Sequence, residues 1–269
     1  MAEPRSQLDW PALLHEALTA PGQVGATYNR FYPYSYTNQM YLRLQGVREP
    51  VATYRRWQAI GRQVLKGARA KEIIRPVVVT IETEAGEQLE QVVGFAPFRG
   101  IFALSDTTGP DLPPVPLPGW DRAAALAKLG VRLVPFDELN GDIQGYSQRL
   151  NIAINPVAVH PDKTLMHELG HVVLGHTMPQ SLAEYATHRG VFEFQAEATA
   201  YLTMHELGQL DDESAEVSRG YIQEWLAGEQ PPERAIQQVF TATDRILKAG
   251  RLAVDAAAGA AAPDTGNDT

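Results

Sequence analysis

The chain has 269 residues, of which 44% are hydrophobic, 20% charged and 8% aromatic, and it contains no cysteine. This globular composition excludes a disordered chain, a collagen-like repeat and a disulfide scaffold. Without thiols, any zinc must be held by histidine or carboxylate side chains. No apolar run reaches the roughly 18 residues of a membrane span, and the start lacks a secretory signal pattern, so we expect a cytoplasmic protein that does not enter the membrane.

The net charge of −9 combines two different halves. Residues 1–120 carry 12 basic and 11 acidic side chains, whereas residues 121–269 carry 11 basic and 21 acidic ones. Within the first half, residues 43–75 hold nine bases and two acids. Because electrostatic fields are local at physiological salt, this basic stretch can bind an anionic partner despite the overall charge.

The first half predicts helices over 10–18, 36–45 and 53–60, followed by strands over 73–81, 89–95 and 98–104. Helical periodicity indicates the former, and runs of β-branched residues around a Gly-containing turn indicate the latter. The pattern predicts an α+β module with an antiparallel hairpin or meander.

Residues 109–119 contain five prolines in eleven positions and predict an extended connector. Beyond it, helices are predicted over 121–129, 162–175, 191–207, 213–226 and 232–249, with strands over 131–135 and 150–154. We therefore expect an α+β protein with a first domain over 1–108, a linker over 109–119, a mainly helical second domain with a small sheet over 120–252, and a disordered tail over 253–269.

The sequence His167-Glu-Leu-Gly-His171 is an HExxH motif within a predicted helix. Residues four apart lie about one turn apart, so both imidazoles project from one face at a spacing suited to one Zn²⁺. Glu168 then lies close enough to a metal-bound water to act as the general base. Mn²⁺ or another divalent metal is also compatible with these ligands.

A third ligand is expected on the next helix, where Glu193 and Glu197 lie one turn apart. Buried carboxylates are rare unless they are paired or bind metal. The alanines around Glu197 leave space for close helix packing, so Glu197 is favoured, with Glu193 as a supporting residue or an alternative ligand. Tyr201 and Tyr221 are candidate hydrogen-bond donors to an oxyanion, although a core tyrosine is the simpler explanation of each. His176, nine positions after His167, is expected to point away from the metal.

Two sets of motifs resemble known families. The HExxH motif with Val172–His176 and Gln195–Tyr201 resembles the ImmA/IrrE type of zinc metallopeptidase. The stretches 51–67, 73–77 and 102–106 resemble the N-terminal single-stranded-DNA-binding domain of ArdC-type antirestriction proteins, and the order of the two domains is that of ArdC.

The basic stretch supports the same partner on physical grounds, because single strands bind to cations and exposed aromatic faces. The expected contacts are Arg55, Arg56, Arg62, Lys66, Arg69, Lys71, Arg75, Tyr32 and Tyr36.

The resemblance implies a gluzincin-like zinc metallopeptidase that binds single-stranded DNA and protects incoming plasmid or phage DNA from restriction. Two alternatives remain: a non-catalytic DNA-binding protein with structural zinc, and a DNA-localised regulatory peptidase that cleaves a repressor. The protein or peptide substrate is not readable from the sequence.

Overall fold

The computed structural model describes residues 8–82, 88–114, 119–140, 142–227 and 231–252. The chain divides into two compact units, one within Met1–Glu16 and Gly25–Val115, the other within Ala17–Val24 and Pro116–Thr269. The predicted domain borders remain a prediction. Residues 109–114 and 119 of the predicted connector contain no helix or strand. The predicted tail over 253–269 lies outside the described residues.

The first unit combines short helices with two small antiparallel sheets. Its helices are α1 (Trp10–Thr19, whose last residues belong to the second unit), α2 (Gly25–Tyr28), α3 (Tyr36–Leu44) and α4 (Tyr54–Ala59). Its strands are β1 (Val51–Thr53), β2 (Gln63–Val64), β3 (Lys71–Glu82), β4 (Gln88–Ala103) and β5 (Thr107–Thr108). The larger sheet has the order β1-β4-β3, and β2 pairs with β5. The predicted antiparallel hairpin is confirmed.

Two of the predicted strands form a single one. Strand β4 runs without interruption through the strand predicted over 89–95 and through all but the last residue of the one predicted over 98–104, although Pro97 lies between them. Pro97 has no backbone N–H to donate, but it still lies opposite Ile74 in the ladder between β3 and β4. The partner strand β3 likewise contains a proline, Pro76, which lies opposite Phe95. A register shift between Val77 and Val78 accommodates a bulge in this long hairpin.

The outer edge of β3 is capped by two side-chain amides, one within α3 and one directly after it. Asn38 exchanges two hydrogen bonds with the main chain of Ile74, at 2.9 and 2.8 Å. Gln45 does the same with Glu72, at 2.8 and 2.9 Å. Because Glu72 and Ile74 are alternate residues, their outward backbone groups are both satisfied, and this part of the edge cannot pair with another strand.

The second unit is mainly helical. It contains α5 (Arg122–Leu129), α6 (Pro161–Leu174), α7 (Leu182–Leu207), α8 (Asp212–Ala227) and α9 (Glu233–Gly250). Strands β6 (Arg132–Leu133), β7 (Gly145–Gln148) and β8 (Asn151–Ile154) form a sheet of order β6-β8-β7, with β7 antiparallel to β8. Strand β7 was not predicted from the sequence. The α+β class with a mainly helical second part is confirmed.

Helix α6 lies at the centre of this unit and packs against α7, α9, β7 and β8. Its buried face contributes Leu165, Met166, Leu169 and Val172 to a core shared with Met204 of α7 and Ile246 of α9. The crossing of α6 and α7 is close at Gly170, where a Cβ would lie 3.0 Å from the carbonyl oxygen of Ala196. The glycine inside the HExxH motif therefore permits the approach that brings the side chains of α7 to the two histidines.

In the part of the chain described, none of the helices has both the length and the apolar character needed to cross a membrane.

Candidate functional site

The two histidines of the HExxH motif lie together on one face of α6. The Nε2 atoms of His167 and His171 are 3.2 Å apart. The helix begins with Pro161 at its first turn and ends at Gly175, which adopts a left-handed φ of 82°. His171 is buried and His167 half-buried, so the pair faces a site with limited access to solvent.

Glu193 of α7 completes a three-donor cluster. Its Oε2 atom lies 3.3 Å from Nε2 of His167 and 3.7 Å from Nε2 of His171. Donors that bind one tetrahedral zinc at about 2.0–2.2 Å lie about 3.3–3.5 Å from one another. The three separations, 3.2, 3.3 and 3.7 Å, lie within about 0.2 Å of this range. Two imidazoles with one carboxylate are the ligand set of a catalytic zinc site with an open fourth position. These residues therefore fit a divalent metal ion.

Glu197, the favoured third ligand, lies behind His167 and not in this cluster. Its Oε2 atom is 3.1 Å from Nδ1 of His167. Its Oε1 atom accepts a hydrogen bond of 2.6 Å from Ser218 and lies 3.1 Å from Nζ of Lys163. Residues one turn apart on α7 meet opposite edges of the same imidazole ring, Glu193 at Nε2 and Glu197 at Nδ1. The sequence identified the close helix crossing but not which carboxylate faces Nε2.

The charges around His167 are strongly coupled. Burial disfavours a charge on Glu197, but hydrogen bonds with His167 and Ser218 and the charge of Lys163 outweigh it and lower the pKa of Glu197 to about 2. Burial likewise opposes protonation of His167, but its hydrogen bonds to Glu193 and Glu197 outweigh it and raise the His167 pKa to about 9. Glu193 and Glu197 therefore both favour a positive charge at His167.

Glu168 lies on α6 beside the cluster and is half-buried. Ser147 of β7 donates a hydrogen bond of 2.6 Å to its Oε2 atom. Gly145 of the same strand packs closely on α6, since a Cβ there would be 2.7 Å from the methyl group of Thr164. The unpredicted strand β7 thus orients the carboxylate that the motif assigns as the general base.

His176 is a buried partner of His171, and Gln195 is a buried partner of His176. Sequence reasoning assigned neither of them to the site. His176 follows Gly175, and its backbone N–H donates to the carbonyl of His171 at 3.0 Å, while that of Gly175 donates to Val172 at 3.0 Å. These two bonds form a Schellman turn, which folds the ring of His176 back beneath the helix. The expectation that His176 points away assumed a continuing helix. Gly175, a helix terminator one residue earlier, was the available signal.

The two tyrosines have different settings. Tyr201 is fully buried, its hydroxyl lies 3.4 Å from the carbonyl oxygen of Leu18, and its ring stacks on His205. Tyr201 therefore has the setting of a core tyrosine, which is the simpler explanation given in the sequence analysis. Tyr221 is 38% exposed on α8, the helix that also carries Ser218. Its role as an oxyanion donor remains a prediction.

The candidate DNA contacts separate into exposed and structural residues. Arg62 is buried, and its guanidinium bonds to Thr107 and to the carbonyls of Gly109 and Pro110, so it is used within the unit. Tyr36 is also buried and belongs to the core. Their burial argues against both as DNA contacts. The sequence shows the charge and the ring but not the side of the element on which they lie.

The other candidates remain available to a partner to different degrees. Arg55, Lys66 and Arg69 are exposed, and Tyr32 is 48% exposed. Lys71 is half-buried with its Nζ atom 3.8 Å from Asp106. The guanidinium carbon of Arg56 lies 5.7 Å from the ring centroid of Phe31. The guanidinium carbon of Arg75 lies 3.3 Å from the ring centroid of Phe98. These residues keep basic and aromatic groups on the surface of the first unit.

The family match with known proteins concerns the first part of the chain. Residues 16–100 match the family model of the N-terminal domain of anti-restriction factor ArdC. That part of the chain is therefore a domain of the ArdC N-terminal type, which confirms the resemblance for the first unit. The ImmA/IrrE resemblance of the second unit remains a prediction. No curated protein matches the chain.

Two solved structures are similar to the chain at low identity. One is the metal-free crystal structure of the antirestriction ArdC protein from the R388 plasmid, with 20% identity, a TM-score of 0.49, and coverage of 90% of this chain and 95% of that one. The other is the Mn(II)-bound structure of the R388 protein, with 18% identity, a TM-score of 0.49, and coverage of 90% of this chain and 98% of that one.

Proposed function

We propose that this protein is a metal-dependent peptidase whose first unit binds single-stranded DNA, and that it acts in antirestriction. One observation carries the peptidase part. The ligand atoms of His167, His171 and Glu193 converge at separations close to those of a tetrahedral site, with Glu168 beside them.

The chain's own residues suit the hydrolysis of a peptide bond. When bound, Zn²⁺ acts as a Lewis acid and lowers the pKa of water toward about 7. Glu168 would take a proton from the attacking water and return it to the leaving amine. Ser147 would hold the Glu168 carboxylate in position through its 2.6 Å hydrogen bond, and the partly buried setting would limit competing solvent.

Replacing Glu168 by glutamine tests the mechanism directly. The amide oxygen can still accept the Ser147 hydrogen bond, but the side chain cannot take a proton. We expect metal content to be unchanged and the cleavage of labelled casein or a peptide library to fall by at least about 100-fold. The Ser147→Ala variant is the matched control: it keeps the carboxylate and should lose less activity. Retained cleavage by Glu168→Gln would sink the mechanism.

The same variants separate catalysis from DNA shielding. If entry of an unmodified plasmid into a restricting host is protected equally by the unaltered protein and by Glu168→Gln, the metal is structural and shielding is the function. If only the unaltered protein protects, hydrolysis is required. Cleavage of one defined repressor would favour the regulatory peptidase. Metal analysis of the purified protein distinguishes zinc from manganese.

The DNA-binding part is supported by the domain match and by the exposed basic and aromatic groups of the first unit. We expect binding of an oligothymidine by the full chain to weaken with salt, because phosphate contacts release counterions. Replacing exposed Arg69 by alanine should reduce the salt dependence by about one counterion. Replacing Tyr32 by alanine should cost about 1–3 kcal/mol through lost stacking. Unchanged binding in both variants would place the DNA contacts elsewhere.

A further inference from the structure

We propose that His176 and Gln195 are positioning residues that fix the tautomer of His171 and so keep its Nε2 atom free to bind metal. This inference rests on the proposed metal centre. The hydrogen-bonded chain runs from His171 through His176 and Gln195 to a backbone carbonyl of α9. Nδ1 of His171 lies 3.0 Å from Nδ1 of His176, and Nε2 of His176 lies 3.1 Å from Oε1 of Gln195. The Gln195 amide in turn reaches α9.

The direction of this chain is set at its far end. Nε2 of Gln195 donates to the carbonyl oxygen of Ala235 at 3.3 Å and to Oε1 of Gln238 at 2.9 Å. A backbone carbonyl can only accept, so the amide nitrogen of Gln195 must face α9 and its oxygen must face His176. The orientation of Gln195 is therefore determined by the main chain of another helix.

His176 passes this direction on. Because Oε1 of Gln195 is an acceptor, Nε2 of His176 must carry a hydrogen. His176 is buried, and its ring contacts His171, Gln195 and Phe192, none of which is a carboxylate, so the neutral imidazole is favoured. A neutral ring protonated at Nε2 has a lone pair at Nδ1, and this atom must accept from His171.

The consequence falls on the metal ligand. His171 must donate through Nδ1–H, so its Nε2 atom carries the lone pair, and this atom faces His167 and Glu193. Free histidine has two neutral tautomers, and only this one can bind metal through Nε2. Outer partners of this kind orient a ligating histidine, and their loss typically weakens metal affinity by about 10- to 100-fold.

The variants are chosen to separate direction from packing. His176→Phe keeps a ring against Phe192 but removes the acceptor, and Gln195→Leu removes the acceptor for His176. His176→Asn is the rescue, since its Oδ1 occupies nearly the place of the imidazole Nδ1 and can accept from His171. Gln238→Met is the control for Gln195, because the Ala235 carbonyl still fixes the Gln195 amide.

The experiment measures zinc affinity by competition with a chromophoric chelator. We expect about 10-fold weaker binding for His176→Phe and Gln195→Leu, and less than about 3-fold change for His176→Asn and Gln238→Met. Equal affinities of His176→Phe and the unaltered protein would overturn the inference. If the unaltered protein bound no zinc, the proposed metal centre itself would fail, and the inference with it.

A second readout needs neither metal nor a variant. Long-range ¹H–¹⁵N NMR spectra of the metal-free protein distinguish the two tautomers of each histidine. We expect the Nδ1–H tautomer for His171 and the Nε2–H tautomer for His176. The Nε2–H tautomer for His171 would overturn the inference even if the affinities changed, because a purely structural role of His176 would not select a tautomer.

Discussion

The two sides of the metal centre differ in what lies behind each histidine. Behind His167 lies a charged group, the carboxylate of Glu197, which is itself held by Lys163 and Ser218. Behind His171 lies the neutral chain of His176 and Gln195. Each support contacts the Nδ1 atom of its histidine, so the Nε2 atom of each histidine faces the metal site. One helical motif thus obtains the same ligand geometry from two different kinds of partner.

The difference shows what each support can contribute. A carboxylate adds negative charge, which raises the basicity of the ligand. Against the effect of burial, Glu193 and Glu197 together raise the His167 pKa to about 9. A neutral chain adds direction without charge. We therefore expect the Glu197 side to supply more of the metal affinity and the His176 side to supply its geometry.

The largest effect is expected from the carboxylate that serves both sides. Glu193→Ala removes one of three donors, so zinc affinity should fall by more than the roughly 100-fold upper range of an outer partner. Competition with a chelator measures this directly. A smaller loss for Glu193→Ala than for Glu197→Ala would reverse the assignment of ligand and support.

A smaller but substantial effect is expected on the charged side. Glu197→Gln removes the charge behind His167 and leaves Lys163 without that partner, so zinc affinity should fall by about 10- to 100-fold, more than in His176→Phe. Ser218→Ala is the matched control, since it removes one hydrogen bond but keeps the carboxylate. Equal losses in Glu197→Gln and His176→Phe would remove the distinction between the two sides.

The smallest effect concerns a histidine that supports neither side. His205, further along α7, stacks on Tyr201, and burial together with nearby Arg219 lowers its pKa. A lowered histidine pKa costs stability as the pH falls below about 6.5, because the unfolded chain then binds the proton more readily. Between pH 7.5 and 5, the free energy of unfolding of metal-saturated His205→Phe should fall less steeply with pH than that of the unaltered protein. The difference in slope corresponds to the uptake of at most one proton on unfolding. Parallel urea midpoints for the two proteins would contradict this assignment.

The elements that define the motifs could be predicted from the sequence because their signals are local. Helix α6 has a proline at its start, a glycine at its end and an apolar face between them, and the hairpin β3–β4 has β-branched runs around a turn. The face shared by His167 and His171 follows from helical spacing alone. Strand β7 has only four residues, starts with glycine and lacks a β-branched run, so nothing local indicates it.

The partners of the site residues could not be predicted because they depend on packing. Glu193 and Glu197 differ by one turn, and only the position of α7 relative to α6 decides which edge of the His167 ring each one meets. His176 enters the site through a turn outside the helix, where helical phase no longer applies. Arg62 has the same charge as the neighbouring basic residues, yet its guanidinium donates hydrogen bonds to backbone carbonyls of its own unit.

The most direct test is a crystal structure of the zinc-loaded protein, with the ion located by anomalous scattering at the zinc edge. We predict one ion bound at about 2.0–2.2 Å by Nε2 of His167, Nε2 of His171 and a carboxylate oxygen of Glu193, with Glu197 retained at Nδ1 of His167. An ion bound by Glu197, with Glu193 turned away from both histidines, would contradict it.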